Sequence, residues 1–252
     1  MRRSSRMAAA ASQAAGRTIQ FYGHGIPYID DTEIKGRLIV IEGPDASGRS
    51  TQIGLITAKL EAAGHAVLNT GLKRSELISE GILEAKRNFA GRKTLSLFYA
   101  ADFADQLENK IIPALRAGYI VLADRYIYTL LAREAVRGIS RRWSHNLFSF
   151  AIVPDLVFYL DVRPEELVHR VFQKNAYLDY YESGADMGLS DDMFESFIKY
   201  QTMIAKEFRR MQKRYNLVII DGNRSIPETN ADLQKRIDAF LESARAGRLA
   251  AL

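Results

Sequence analysis

The chain has 252 residues, of which 47% are hydrophobic and 26% are charged. This composition is that of a globular protein and excludes a disordered chain, a collagen and a coiled coil. At roughly 150 residues per domain, the length fits one large domain or two small ones. The sequence contains no cysteine, which excludes disulfides, a cysteine-ligated zinc site and a cysteine nucleophile. It also contains no apolar run of about 18 residues, so no transmembrane helix is expected.

The net charge of +5 is concentrated at the N-terminus. Residues 1–29 contain Arg2, Arg3, Arg6 and Arg17 and no acidic side chain. Without these four, 31 of the 35 basic side chains remain against 30 acidic ones. A strongly basic domain favours nucleic acid as a partner, but the body of this chain is nearly neutral. We therefore expect small phosphorylated ligands, and neither nucleic acid nor a membrane, as partners.

Composition divides the chain into three parts. Residues 1–36 are predicted to be an N-terminal extension, with 1–20 disordered and 21–36 an ordered arm packed on the domain. The Arg- and Ser-rich, acid-free start is also typical of a transit peptide, and this alternative stays open. A single domain is predicted over 37–245 and a C-terminal tail over 246–252. The lack of cysteine fits a reducing compartment, and we expect the cytoplasm.

From residue 37 onward, short apolar runs alternate with segments of helical periodicity. The apolar runs are typical of strands buried on both faces. They occur at Leu38–Glu42, Ala66–Thr70, Tyr119–Ala123, Asp155–Asp161 and Leu217–Asp221. Helices are predicted over 50–63, 75–90, 93–117, 128–151, 164–172, 191–213 and 227–245. This alternation predicts a three-layer α/β/α domain around a five-stranded parallel sheet.

A glycine-containing turn joins the first strand to the first helix. It reads Gly-Pro-Asp-Ala-Ser-Gly-Arg-Ser-Thr, and the spacing of its glycines and hydroxyls is typical of a phosphate-binding loop. Its backbone N–H groups and the helix N-terminus would hold a nucleotide β-phosphate. Arg49 stands where such loops carry lysine, so a planar guanidinium replaces a compact ammonium group. The predicted nucleotide-binding residues are Gly43, Pro44, Asp45, Ala46, Ser47, Gly48, Arg49, Ser50 and Thr51, with Ser50 a ligand of Mg²⁺.

A second motif, Asp124-Arg125-Tyr126, follows the third strand. Ligands of open α/β sheets bind at the carboxyl ends of the strands. Asp124 is therefore a candidate to hold Mg²⁺ or to act on the acceptor phosphate, and Arg125 a candidate to clamp that phosphate. An ordinary ion pair at the end of a strand is the alternative, and the neighbouring phosphate loop makes it the weaker one.

Together these motifs resemble the thymidylate kinase family of P-loop nucleoside-monophosphate kinases over about residues 37–242. Beyond the phosphate loop no single segment is specific, but the ordered set is. The matching segments are Ile41–Asp45, Leu72–Ser75, Leu97–Asp102, Ile112–Gly118, Ala123–Tyr126, Pro154–Glu166 and Ile220–Arg224. The resemblance implies the P-loop NTPase fold and a lid around 173–190. It also favours a homodimer.

The resemblance further implies transfer of the γ-phosphoryl group of ATP to a nucleoside monophosphate, with Mg²⁺ as the metal and dTMP as the best single acceptor. Asp45, Arg49 and Arg125 are then the catalytic candidates, with Ser50 and Asp124 on the metal. Tyr99 is expected to stack on the acceptor base, with Phe98 as the alternative. The implied substrate-binding residues are Arg74, Tyr99, Phe103, Asp124, Arg125 and Thr129.

Three departures from the family pattern leave alternatives open. Phe103 stands where the family places an arginine that reads the thymine edge, and Arg133 where it places a tyrosine beside the sugar. The expected lid, 173–190, contains Lys174 and no arginine. A kinase for a different acceptor and a catalytically weak nucleotide-binding relative are therefore the alternative functions.

Overall fold

The computed structural model describes residues 18–29, 34–175, 178 and 180–249. The strands are β1 (Arg37–Glu42), β2 (Val67–Gly71), β3 (Ile120–Asp124), β4 (Leu156–Asp161) and β5 (Leu217–Asp221). The helices are α1 (Arg49–Ala62), α2 (Ser79–Arg87), α3 (Arg92–Gln106), α4 (Ile112–Arg116), α5 (Ile127–Val136), α6 (Arg141–Leu147), α7 (Pro164–Asn175), α8 (Met193–Tyr215) and α9 (Ile226–Leu249). Over the described residues, all strands are parallel and form one sheet in the order β2-β3-β1-β4-β5. The α/β fold predicted from the sequence is confirmed.

Strand β1 lies at the centre of the sheet, between β3 and β4. Ile41 near its carboxyl end is level with Asp124 of β3 and Phe158 of β4. The chain leaves β1 towards β2 on one side and leaves β3 towards β4 on the other. Such a change of direction opens a crevice at the carboxyl ends of the two strands. The two predicted motifs follow β1 and β3, so the topology places both at this crevice.

Successive side chains of β1 enter opposite hydrophobic layers. Ile39 and Ile41 are fully buried against α1 and α9, in a cluster that includes Ile56 and Leu233. Leu38 and Val40 face the larger cluster formed with α3, α4, α5 and α8. Both faces of the sheet are thus covered by helices, which explains why the strands read as continuous apolar runs.

Two predicted helices differ from the structure. The helix predicted over 128–151 is divided into α5 and α6, because Gly138 adopts the left-handed conformation with φ of 80° just after α5 ends. The helix predicted over 93–117 contains a π-helical turn at Leu107–Ile111, between α3 and α4. Pro113 follows this turn and has no N–H group for the carbonyl four residues earlier, which accounts for the irregular geometry there.

The N-terminal arm packs on the domain, and the last helix extends further than predicted. Phe21 pairs with Ile152 in an isolated antiparallel bridge, and the Tyr22 hydroxyl lies 2.6 Å from that of Tyr128 on α5. Helix α9 continues to Leu249, into the segment predicted as a C-terminal tail. Residues 1–20 are predicted to be disordered, and residues 1–17 lie outside the described part. Among the described helices, none is long and apolar enough to cross a membrane.

Candidate active site

The predicted phosphate-binding loop joins β1 to α1, as the sequence indicates. Gly43 has a φ of 155°, and a Cβ atom there would lie 2.7 Å from the Ser47 hydroxyl. Gly48, directly before α1, has a φ of 90°, so both glycines hold backbone angles that other residues rarely adopt. The loop lines a cleft of about 360 Å³ together with Arg170 of α7 and Glu182. The N-terminus of α1 points its free N–H groups into this cleft, where an anion is stabilised.

The Arg49 side chain turns back towards the loop and β3. Its Nε donates to Asp124 Oδ1 over 2.7 Å, and its Nη1 donates to the carbonyls of Gly43 and Pro44. Its Nη2 lies 3.5 Å from Asp45 Oδ1. Burial, followed by the neighbouring Arg125, lowers the pKa of the guanidinium from its usual range, although this group stays charged. Arg49 therefore links the phosphate loop to the second motif in this structure.

The two predicted metal ligands lie side by side. The Ser50 hydroxyl donates to Asp124 Oδ2 over 3.1 Å. Burial works against ionisation of Asp124, but the Arg49 guanidinium keeps the pKa of the carboxyl below its usual value. An ionised carboxylate beside an accessible hydroxyl is a set of oxygen donors that would suit Mg²⁺. The residues present therefore fit a bound magnesium–nucleotide complex.

Asp45 connects the loop to the cations of the second motif. Its carboxylate lies 2.5 Å from Arg125 Nη2 and 3.2 Å from Arg133 Nη2. Burial opposes ionisation, but the guanidinium groups, led by that of Arg125, hold the pKa of Asp45 well below its usual range. Glu182, in the predicted lid, approaches the same cluster and lies 3.9 Å from Arg133. Its pKa is raised to about 7 by burial and by the Asp45 carboxylate.

A buried carboxylate at the end of β1 fixes the second motif in place. Glu42 is fully buried and accepts hydrogen bonds from the backbone N–H groups of Tyr126 and Thr129 at 2.9 and 3.2 Å. It also accepts the Thr129 hydroxyl at 2.5 Å. Arg125, just before these donors, has a φ of 70°, an unusual angle for a residue with a side chain. Glu42 thus holds the turn that aims Arg125.

The remaining predicted substrate residues fall into two environments. Arg74 is exposed and lies 3.9 Å from Asp124. It therefore faces the ion pairs of Asp45, Asp124, Arg49 and Arg125, which we call the phosphate cluster. Its loop is anchored by Asp102, which accepts the N–H groups of Lys73 and Ser75. Phe103 lies in the aromatic core, with its ring centre 4.9 Å from that of Tyr126. The Thr129 hydroxyl donates to Glu42, which indicates that Thr129 positions neighbouring groups.

Tyr99 lines a separate cavity between α3 and α5. Its side chain is only 5% exposed, and Leu130 and Arg133 of α5 lie across the cavity from it. The structure therefore brings together the phosphate loop, Asp124, Arg125 and Arg74 at one crevice and puts Tyr99 beside it. Phe103 lies in the core, in the same buried cluster to which Tyr99 belongs.

Several site residues were not predicted from the sequence. Glu42 ends an otherwise apolar strand, and a carboxylate in such a run was the one available signal for it. Arg170 carries no sequence signal, yet it lines the loop cleft and donates to Glu166 and to the Gly222 carbonyl at 2.8 and 3.1 Å. Lys174, the cation expected in the lid, has a side chain outside the described part. Arg170 is a described cation on the lid side of the cleft.

Comparison with known proteins gives a consistent result. The sequence model of the thymidylate kinase family matches residues 41–233. The chain is 35% identical over 213 residues to a protein of Saccharolobus solfataricus named probable thymidylate kinase 2, covering 84% of this chain and 100% of that protein. It is 30% identical over 221 residues to a thymidylate kinase of Shouchella clausii, covering 84% and 99% of the two chains. It is 32% identical over 213 residues to a thymidylate kinase of Thermosipho africanus, covering 81% and 99%.

Proposed function

The chain belongs to the thymidylate kinase family, and on that premise we propose that it transfers the γ-phosphoryl group of ATP to dTMP, giving ADP and dTDP. The observation that carries the proposal is the meeting of two phosphate-binding elements at one crevice. The loop and the N-terminus of α1 face this crevice from β1, and Arg125 and Arg74 face it from β3 and the loop after β2. One element suits a donor phosphate and the other an acceptor phosphate.

Phosphoryl transfer depends on positioning and on neutralisation of charge. The loop N–H groups would hold the β-phosphate of ATP, and Ser50 and Asp124 would hold Mg²⁺, which would supply neutralisation of charge on the donor phosphates. Arg125 and Arg74 place the dTMP phosphate in line, so that its oxygen forms the new P–O bond as the bond to the ADP leaving group breaks. Asp45 orients Arg125, since its carboxylate lies 2.5 Å from the guanidinium.

Arg49 is the catalytic residue whose role depends most on movement. In this structure its guanidinium contacts Asp124 and the loop carbonyls. We propose that it moves towards the donor phosphates when ATP enters, which leaves Asp124 available to the metal. The full charge it carries supports this role, because a guanidinium can stabilise the charge that develops during transfer.

An ADP-release assay on the purified protein tests the proposal. ATP and Mg²⁺ are supplied with dTMP, dUMP, UMP, dCMP, CMP, AMP or GMP, and a reaction without acceptor gives the background. We expect the highest kcat/KM with dTMP. A preference for another monophosphate would show that dTMP is not the acceptor. A rate at background with every acceptor would contradict the proposed activity.

The oligomeric state and location are part of the same proposal. We expect a homodimer acting in the cytoplasm on small-molecule nucleotides. Light scattering of the purified protein checks the first expectation, since a monomeric mass would contradict it. Fractionation of cells that express the full chain checks the second.

A further inference from the structure

A small cavity with apolar and polar walls lies beside the ion pairs of Asp45 and Arg125. It encloses about 70 Å³ between α3 and α5, with Tyr181 on its lid side. Leu95 of α3 and Leu130 of α5 give it apolar walls, and Tyr99 adds an aromatic ring. Sites for small ligands commonly combine such walls with a few polar groups.

Arg133 connects this cavity to the phosphate cluster. It lines the cavity and also contacts Asp45 at 3.2 Å, which in turn contacts Arg125. Helix α5 begins at Ile127, just after Arg125, and Glu134 lies about 10 Å further along its axis at 1.5 Å per residue. A nucleotide whose phosphate is held by Arg125 would therefore place its base in the cavity near Glu134.

The cations around the cavity already have partners within the protein. Arg137 forms two bonds with Asp186, at 2.8 and 2.9 Å. Arg92 donates to the Arg137 carbonyl, and Arg133 contacts Asp45. Arg137 and Arg133 are thus paired with carboxylates, so these two cations do not require an anionic group of a ligand in the cavity.

Two polar groups in the cavity stand without a partner. Over the residues that the structure describes, neither carboxylate oxygen of Glu134 nor the hydroxyl of Tyr99 has a hydrogen-bond partner. Glu134 is only 6% exposed. The nearby hydroxyls of Ser96 and Ser144 donate instead to the carbonyls of Arg92 and Ser140. Burial raises the pKa of Glu134, while these two hydroxyls act in the opposite direction.

A buried acidic side chain without a partner is costly to a fold, and its natural explanation is a ligand that supplies the missing donor. We propose that Glu134 reads the acceptor base by accepting a hydrogen bond from the N3–H group of thymine. This inference rests on the proposed function. Thymine presents N3–H between two carbonyl oxygens, and the Tyr99 hydroxyl is the matching donor for one of them. The base is then read from α5, and Phe103 in the core has no part in it.

Kinetics with a methylated substrate isolate this hydrogen bond. The acceptors are dTMP and 3-methyl-dTMP, which lacks the N3–H group, and the enzymes are wild type, Glu134→Leu and Glu134→Gln. For wild type we expect kcat/KM to fall at least about tenfold on methylation. Glu134→Leu should lose at least about tenfold with dTMP and treat both acceptors alike. Glu134→Gln keeps an acceptor oxygen and should keep the preference, with the KM for ATP unchanged in all three.

Stability separates recognition from a structural role. Removing a partnerless buried carboxyl should raise the Tm of Glu134→Leu without nucleotide, whereas loss of a structural contact would lower it. Glu84→Leu removes an exposed carboxylate on α2 and should leave both kinetics and Tm unchanged. If Glu134→Leu keeps the wild-type preference for dTMP over the methylated acceptor, Glu134 does not read N3–H. If wild type fails to phosphorylate dTMP at all, the proposed function itself has failed, and this inference with it.

Discussion

The two sides of the acceptor site are built on opposite principles. On the phosphate side, Asp45 pairs with Arg125 and Arg133, and Asp124 pairs with Arg49 and Arg74, at distances between 2.5 and 3.9 Å. On the base side, the cavity has apolar walls, and Glu134 and Tyr99 carry polar atoms without partners. A phosphate is a common feature of every nucleotide, whereas the base edge distinguishes one from another. On the proposed function, the residues for affinity and transfer are therefore separate from those for selection.

This separation is most sharply tested at Arg125. Arg125→Ala removes the cation paired with Asp45, and we expect kcat/KM for dTMP to fall by about 10³-fold. Because the loss concerns the phosphate, the ratio of rates with dTMP and 3-methyl-dTMP should stay at the wild-type value. Steady-state kinetics with both acceptors measure this, and Arg142→Ala, at an exposed position on α6, is the control. A changed ratio would show that the two sides are not independent.

Arg49 tests the donor end of the phosphate side. Arg49→Ala removes the charge beside the donor phosphates, and we expect at least about a hundredfold loss of kcat. Arg49→Lys keeps the charge on a compact group that lacks the planar fork of the guanidinium towards Asp124, so it should preserve or raise kcat. Turnover at saturating dTMP provides the measurement. Equal activity in wild type and Arg49→Ala would show that the loop does not bind the donor as proposed.

Variants of Glu42 test whether its hydrogen bonds to Tyr126 and Thr129 hold the turn that carries Arg125. Glu42→Leu removes both oxygens to which the Tyr126 and Thr129 donors point, and we expect a loss of about 2–3 kcal/mol in the free energy of unfolding. The turn carrying Arg125 should shift, which lowers kcat as well. Thr129→Val removes one donor and should cost about 1 kcal/mol. Urea unfolding distinguishes the two variants, and an unchanged KM for dTMP in Thr129→Val would exclude Thr129 from substrate contact.

The sequence carries more local information on the phosphate side than on the base side, and the reason is physical. The phosphate loop is contiguous, and its glycines, hydroxyls and helix start leave a local pattern. Asp124 and Arg125 could be placed because parallel strands end at the same edge. The base cavity is assembled from α3 and α5, whose facing residues depend on helix packing. Phe103 was assigned to it by alignment, although its helical position turns it into the core.

The same limit applies to Glu42 and Glu182. Both are acidic side chains whose meaning depends on distant partners, Thr129 for Glu42 and Asp45 for Glu182. Sequence spacing indicates neither pair. The end of a helix near Gly138 could have been predicted from the sequence, since glycine commonly follows the end of a helix. Long-range polar contacts, in contrast, appear only with the fold.

The last effect, which depends on pH, is expected at Glu182, where lid and loop meet. Burial and the Asp45 carboxylate raise its pKa from 4.5 to about 7, while Arg133 and Arg125 act against them. The native state therefore retains a proton between these pH values that the unfolded chain releases, so stability falls as the pH rises through this window. Relative to Glu182→Gln, wild type should be less stable at pH 8 by up to roughly 3 kcal/mol and nearly equal at pH 5.

Urea unfolding of both proteins across pH 5 to 8 measures this difference, with Glu84→Gln as the control for an exposed carboxylate. Since Asp45 stays ionised over this range, the changing charge is that of Glu182, and repulsion between the two carboxylates grows as the pH rises. Binding of dTMP brings further negative charge to the same cluster through Arg125. The KM for dTMP should therefore rise with pH in wild type and less so in Glu182→Gln. Parallel stability curves for the two proteins would show that Glu182 does not face Asp45, and the lid would then have no electrostatic link to the phosphate side.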